Sequence, residues 1–362
     1  MTAVLEERQE EREKVVVKPP RKGRKIFDGW LVTGFTGLLL FVFLLPLGYM
    51  LVTSLKSEQM ITNLQAPILP KSPATFEYEG TDLDMYTVPM PDGSERDLAL
   101  LQPRRQESQF IDPDDPEAGI IEWEGNWRQL APAYELDPQW SNYSRAWELM
   151  DFPLLLRNTL AIAGLGTIGA VGSSILVAYG LARFRVPFGR TIMVVLVATI
   201  ILPRFVTLVP TYAVFVKIGW IGTWLPLIVP HFFANAFNVF LLRQYFLTIP
   251  KELDEAATID GAGPLRTLLS VILPQMKAAI VAVSLFHFYF AWNDFFEPMI
   301  YLSTRPDLQP ISVGLRTFNT LFDAQPQLIQ SGAMLALIIP VVVFLLAQRV
   351  FLQGIDLSGV QK

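Results

Sequence analysis

Apolar residues gather into six long blocks, at 30–51, 159–182, 191–212, 224–242, 278–301 and 333–351, divided by polar joints. Each is close to the roughly 20 apolar residues that carry a helix across a bilayer. The pattern therefore predicts an all-α polytopic membrane protein with six transmembrane helices. The second block repeats a small residue at every fourth position: Gly166, Ala170, Ser174, Ala178 and Ala182. Such a ridge lets two helix backbones approach closely in lipid. The third block carries Pro203 and Pro210 in its second half. Each proline lacks an N–H and crowds the preceding turn, so a kink or break is expected there. It is tolerable only where neighbouring protein or water satisfies the freed backbone groups.

One polar stretch, 250–276, interrupts the apolar second half, reading KELDEAATIDGAGPLRTLLSVILP from Lys251. It predicts a helix–turn–helix. Pro250 and the acidic residues Glu252, Asp254 and Glu255 suit a helix start, where the helix dipole favours negative charge. Asp260-Gly261 supplies the stop, because glycine accepts the left-handed conformation that ends helices. Pro264 fits the first turn of the second helix, and Pro274 bends the chain into the next apolar block. A polar helical hairpin between two spans calls for a partner.

The other polar region, 56–150, holds 18 acidic and 7 basic residues and ten prolines. With no long apolar run, it predicts a small β-rich module and not a second large domain. Asp92-Gly93 between alternating stretches suggests a β-hairpin, and Ile120, Ile121, Trp123 and Trp127 a further strand or turn. Trp123, Trp127, Trp140 and Trp147, with Tyr134 and Tyr143, would pack this module and anchor it at the membrane interface. The run from Asp112 through Asp114, Asp115 and Glu117 lacks the ligand spacing of a calcium loop and reads as a solvated acidic turn. Asn142-Tyr143-Ser144 matches a glycosylation acceptor only weakly.

The chain of 362 residues carries a net charge of −5, but outside 56–150 the balance is +6. Basic residues at 21–25, Arg183, Arg185, Arg190, Arg243, Arg349 and Lys362 mark one side of the bilayer. By the positive-inside rule, both termini and the hairpin are cytosolic and 56–150 is outside. The expected division is a cytosolic arm too polar to fold (1–25) and a first transmembrane helix kept as a signal anchor (26–55). The extracytoplasmic module (56–150), the core with helices 2–6 and the hairpin (151–353), and a cytosolic tail (354–362) follow.

Absent cysteine excludes disulfides and thiolate chemistry, and His231 and His287 are too few for a multi-histidine metal site, which leaves only mixed sites with carboxylates open. No glycine is followed by lysine, so no loop of the G-x-x-x-x-G-K-[ST] type cradles a nucleotide phosphate. Neither a catalytic constellation nor a nucleic-acid signature is present. Polar residues in or near the apolar blocks are costly and therefore candidates for function. Asn235, Asn238, His287, Trp292 and Asn293 are candidates for a translocation path, or else for helix–helix hydrogen bonds. Asp294, about 24 Å along its block at the usual rise per residue, and Glu297 are candidates for an outer gate or a contact with a delivery protein. The alternative for both is an interfacial charge or helix cap. Arg204 is expected to pair locally or reach for headgroups.

Glu255-Ala256-Ala257, Gly261 and Leu273-Pro274, with Val271 at the branched position usually held by isoleucine, resemble in spacing the EAA loop of ATP-binding cassette (ABC) importer permeases. The stretches 225–249 and 286–302 look like the carbohydrate-uptake permeases of the MalG type, as do 202–212 and 348–362. The resemblance covers about 26–77 and 142–362 and leaves 78–141 as an insert. It implies a type I ABC importer permease fold and a role in moving a sugar or oligosaccharide by alternating access. It also implies coupling through Glu255, Ala256, Ala257, Asp260, Gly261, Leu273 and Pro274. The implied partners are two ATPase subunits that bind ATP and Mg, a second permease subunit of the MalF type and an extracytoplasmic solute-binding protein. The implied location is a bacterial or archaeal cell membrane, where the C-terminal tail would also touch the ATPases. Two alternatives stand beside this reading: the same role for glycerol phosphate or a polyol, and a membrane-embedded glycan-modifying enzyme using the insert.

Overall fold

The computed structural model describes residues 22–63, 66–319 and 324–358. Most of the expected N-terminal arm (1–21) and the end of the expected tail (359–362) lie outside the described residues. The chain divides into two compact units, Met1–Met50 and Leu51–Lys362. The first is the greater part of α1 (Lys22–Ser54), a helix that runs through Pro46. Its segment Trp30–Ser54 has a mean hydropathy of 2.3.

The second unit is built around α4 (Phe152–Arg183), which starts seven residues before the apolar block it was read from. Asp151, in a left-handed conformation, and Pro153 in the first turn set its start. Four helices among the described residues are long and apolar enough to span a membrane, and six spans result if each of two bent pairs counts as one. The protein is thus mostly helical and polytopic, with a small β-sheet module.

The third span is broken, not kinked. α5 (Gly189–Ile200) and α6 (Arg204–Lys217) meet at 98°, with Pro203 extended at the joint. Pro210, by contrast, lies inside α6 and does not end it. The fourth span is interrupted as well. α7 (Leu225–Ile228) and a 3-10 turn (Val229–Phe232) lead into α8 (Ala236–Thr248), with Ala234 left-handed at φ +51. The small-residue ridge of α4 receives this irregular backbone. Ala170, Ser174 and Ala178 are fully buried. A Cβ on Gly166 would lie 3.2 Å from the His231 ring, and one on Gly169 only 2.5 Å from Phe232. The freed N–H groups of Ala234 and Asn235 donate to Ser173 Oγ (2.9 Å) and Ser174 Oγ (3.1 Å). Neighbouring protein therefore supplies the satisfaction that a broken span requires.

The hairpin follows: α9 (Glu252–Ile259), then α10 (Pro264–Thr267), a π-helical turn (Leu268–Ile272) and α11 (Leu273–Gln275). A bend of 86° leads to α12 (Lys277–Trp292). The expected fifth span is shorter than its apolar block. α12 ends at Trp292, and a new short helix, α13 (Phe296–Tyr301), follows a break at 293–295. After α14 (Ile311–Gly314), α15 (Pro326–Ser358) is the last span, starting earlier than its apolar block.

Residues 71–136 form the β-rich module, preceded by α2 (Glu58–Thr62). A sheet runs β2 (Thr75–Tyr78), β3 (Thr81–Pro89), β4 (Glu95–Gln102), β5 (Glu107–Ile111), β6 (Ile121–Glu124), with β7 (Ala131–Pro132) added beside β3. The β3–β4 hairpin turns at Asp92-Gly93 as expected, Gly93 taking φ +82. Asp92 accepts hydrogen bonds from the Ser94 hydroxyl and N–H, which hold its carboxyl below the usual range. Val88, Leu98, Leu100 and Phe110 form the module's core, with Trp123 edge-on to Phe110 and Trp127 to Tyr86. Asp112 caps its own turn by accepting from Asp114 N and faces Arg96 at 3.7 Å.

The module begins at Lys71, so residues 71–77, which the resemblance placed before the insert, are part of it. β1 (Lys71–Pro73) pairs antiparallel with β8 (Tyr134–Leu136) to close a neck. Below the neck, α3 (Ser141–Leu149) packs on α15. Asn142 Nδ2 donates to the carbonyls of Ser54 and Lys56, both at 2.9 Å, and Ser331 Oγ donates to Ser54 O at 3.2 Å. Asn142, 4% exposed, is thus a structural anchor.

Candidate functional site

Two regions gather the polar residues that interrupt the apolar spans. The first is the hairpin. α9 ends in a full Schellman turn: Gly261 N bonds Thr258 O (3.0 Å) and Ala262 N bonds Ala257 O (2.9 Å), with Gly261 at φ +78. No atom lies within 4 Å of a Cβ built on Gly261, so backbone conformation alone selects glycine. Ala257 is buried, while Glu255, Ala256 and Asp260 are exposed. Leu273 is half-buried and Pro274 exposed at the start of α11.

Apolar side chains of the hairpin are uncovered as well. Ile259 is 86% exposed, Leu265 60% and Leu269 56%. These three leucine and isoleucine side chains are functional candidates that sequence reasoning missed. Their signal was available as apolar residues placed without a core-facing period inside a polar hairpin. An open groove of ≈ 330 Å³ lies between the end of α4 and the hairpin, lined in part by Tyr179, Arg183, Lys251, Asp254, Glu255 and Thr258.

The second region is where the breaks of spans three, four and five meet. Arg204, first residue of α6, reaches Glu297 of α13 (2.6 Å) and Asp294 (3.8 Å) and covers the Phe290 ring at 4.3 Å. Asp294 lies in the break after α12, not on a continuous helix, and Glu297 in the first turn of α13. Phe205 packs edge-on to Phe296 at 5.3 Å. Deeper in, Asn238 Nδ2 meets His287 Nδ1 at 3.3 Å and the His231 and His287 rings stand edge to face at 4.8 Å. His287 is 4% exposed, and its Nε2 is buried without a hydrogen-bond partner. A cavity of ≈ 10 Å³, about enough for one water, lies close by, lined by Thr159, His231, Phe290 and Asp294 among others.

The candidate translocation residues thus separate by environment. Asn238 and His287 are paired in the interior. Asn235 caps α8 by accepting from Asn238 N at 3.1 Å and is exposed. Asn293 is exposed and donates to Tyr289 O at 2.8 Å. Trp292 is 5% exposed and packs in an apolar cluster with Phe288, Ile311 and Phe318, away from any open surface. Arg204, Phe205, Phe233, Phe290 and Phe296, in or near the breaks, are exposed like Asn293.

Comparison with known proteins agrees with this architecture. The permease protein UgpE of the sn-glycerol-3-phosphate transport system of Rhizobium meliloti (strain 1021) is 36% identical over 203 residues, 56% of this chain and 71% of that one. Its counterpart in Yersinia pestis is 33% identical over 224 residues, 60% of this chain and 79% of that one. The osmoprotective compounds uptake permease protein GgtD of Synechocystis sp. is 30% identical over 205 residues, 56% and 69% of the two chains. A chain in the crystal structure of a bacterial ABC transporter involved in the import of the acidic polysaccharide alginate has the same fold. Its TM-score is 0.62, covering 92% of this chain and 99% of that one at 19% identity. The family model described as binding-protein-dependent transport system inner membrane component matches residues 170–356, which hold both the hairpin and the meeting breaks, and the chain belongs to that family of transport permeases.

Proposed function

We propose that this permease moves a sugar or oligosaccharide across the membrane by alternating access, driven by two ATPase subunits docked on the 250–276 hairpin. A second permease subunit of the MalF type and an extracytoplasmic binding protein complete the importer. ATP and Mg belong to the ATPases. Both termini and the hairpin face the cytosol, and the β-rich module faces outside. The observation that carries the docking is the hairpin's exposed surface, which leaves Glu255 and Ala256 uncovered together with Ile259, Leu265 and Leu269. An apolar patch with a charged rim is the usual composition of a protein contact.

The substrate path runs along the exposed side of the meeting breaks, past Asn235, Asn293 and the Arg204–Asp294–Glu297 cluster. Irregular backbone in a membrane is tolerated where it lines a cavity. Aromatic rings with amide groups suit the apolar and hydroxyl faces of a sugar. A phosphate ester needs a free cation, whereas Arg204 is already matched by two carboxylates. This favours the sugar, although the relatives named above include glycerol-phosphate permeases.

Vesicles reconstituted with the permease pair, the ATPases and the binding protein test the reading. ATP-dependent uptake of labelled neutral oligosaccharides is the expected outcome. Uptake of sn-glycerol-3-phosphate alone assigns the second substrate instead. ATP-independent flux of either compound overturns the mechanism.

A further inference from the structure

One turn of α4 grips both arms of the hairpin. Tyr179 and Arg183 are four residues apart and so lie on one helix face. Arg183 closes α4, and its side chain is only 6% exposed. Its Nη2 donates to Ile249 O at 3.0 Å, just before the hairpin opens, and its Nε faces Asp254 Oδ2 at 3.2 Å on α9. Both of those atoms are shut off from solvent and neither has another hydrogen-bond partner. Tyr179 Oη donates to Pro264 O at 3.4 Å, at the first residue of α10. A reciprocal tie comes from α8, where Arg243 Nε donates to Leu181 O at 3.2 Å.

The hairpin is joined by the chain itself only to α8 and α12. We infer that the Arg183–Asp254 ion pair, backed by Tyr179, is a positioning device that makes α4 move with the hairpin. Force applied at the docking face then enters three spans at once, including the helix on which the broken fourth span is seated. The pair suits the task because the Arg183 side chain is almost wholly enclosed, so that removing Asp254 leaves its buried Nε without a partner. Asp254 and Arg183 act through the hairpin's position, not through contact with the ATPases. The inference rests on the reading of the hairpin as the ATPase-docking element.

The test uses the whole importer in vesicles, with uptake and ATP hydrolysis measured together. Asp254→Asn should lower uptake per ATP by about tenfold, the scale of a typical coupling free energy, while the ATPases still co-purify. Asp254→Glu should restore the ratio, because it restores the charge. Tyr179→Phe, which removes a single hydroxyl, should lower the ratio about twofold. Unchanged uptake per ATP in Asp254→Asn overturns the inference, as does an Asp254→Glu variant no better than Asp254→Asn. Loss of the ATPases from Asp254→Asn also overturns it, since Asp254 would then belong to the docking face. Glu255→Lys is the separate control. If it keeps its ATPases and its uptake, the docking reading itself has failed. If it loses them while Asp254→Asn behaves as wild type, only the positioning role has.

Discussion

The hairpin and the meeting breaks are both polar interruptions in apolar spans, yet they are specified in opposite ways. The hairpin is local. Its start, its Schellman turn at Gly261 and its second start at Pro264 all lie within one short stretch, and each is a backbone rule applied in place. The breaks are non-local. Arg204 meets Asp294 and Glu297 across some ninety positions, and Asn238 meets His287 across 49. The hairpin leaves Glu255 and Asp260 exposed but turns Asp254 in to Arg183, while the breaks pair Arg204 with two carboxylates and Asn238 with His287 and leave Asn235 and Asn293 exposed. The contrast teaches that two polar interruptions in one membrane sequence carry different kinds of information, one local and one long-range.

The largest expected effect breaks the local side of this comparison. Glu255→Lys should weaken ATPase docking by about 2 kcal/mol, or roughly thirtyfold in affinity, read as loss of the ATPases during purification. Next comes the non-local side. Arg204→Ala leaves Asp294 and Glu297 adjacent without their cation, and uptake in vesicles should fall about tenfold while the ATPases stay bound. Adding Glu297→Gln to that variant should recover part of the loss. If Arg204→Ala instead sheds the ATPases, the two regions are not separable.

Ser174→Val tests the seat of the broken fourth span. It adds bulk at a fully buried position and removes the acceptor for Asn235 N. A loss of about 1–3 kcal/mol is expected, measured by thermal unfolding in detergent. Smaller still is the effect at Gly261. Open space around it means that Gly261→Ala should cost only the left-handed backbone penalty of about 1–2 kcal/mol, and Gly261→Asn less. A far larger loss of coupling than of stability in Gly261→Ala would show that the partner presses against this turn.

How much was readable follows the same division. Six spans, the hairpin's turn, the small-residue ridge and the Asp92-Gly93 hairpin each rest on periodicity or a local backbone rule. The block at 278–301 misled because hydropathy does not register a helix end: α12 stops at Trp292, and apolar Phe295 and Phe296 continue the run across the break. Pro203 and Pro210 have the same local chemistry, yet only Pro203 breaks its span. The difference lies in what surrounds each proline, which the sequence order does not state. Arg183 was legible as a positive-inside marker, but its grip on Asp254 was not, because the pair is made by packing α4 against α9.

The neck of the β-rich module has a consequence for chain statistics. Pro73 and Tyr134 are directly paired across β1 and β8, so the two ends of everything between them sit one strand spacing apart, about 5 Å. To the spans on either side, some sixty residues present the same end-to-end separation as a tight turn. Closing so long a loop adds only a logarithmic entropy term, and the module's own core at Val88, Leu98 and Phe110 offsets it internally. Excising residues 74–133 and joining the two neck strands by a short turn should therefore leave Asn142 on its carbonyl anchors and the spans assembled. Co-purification of the ATPases with that shortened chain is the measurement, and a failure to assemble would mean that the module braces the spans it stands on.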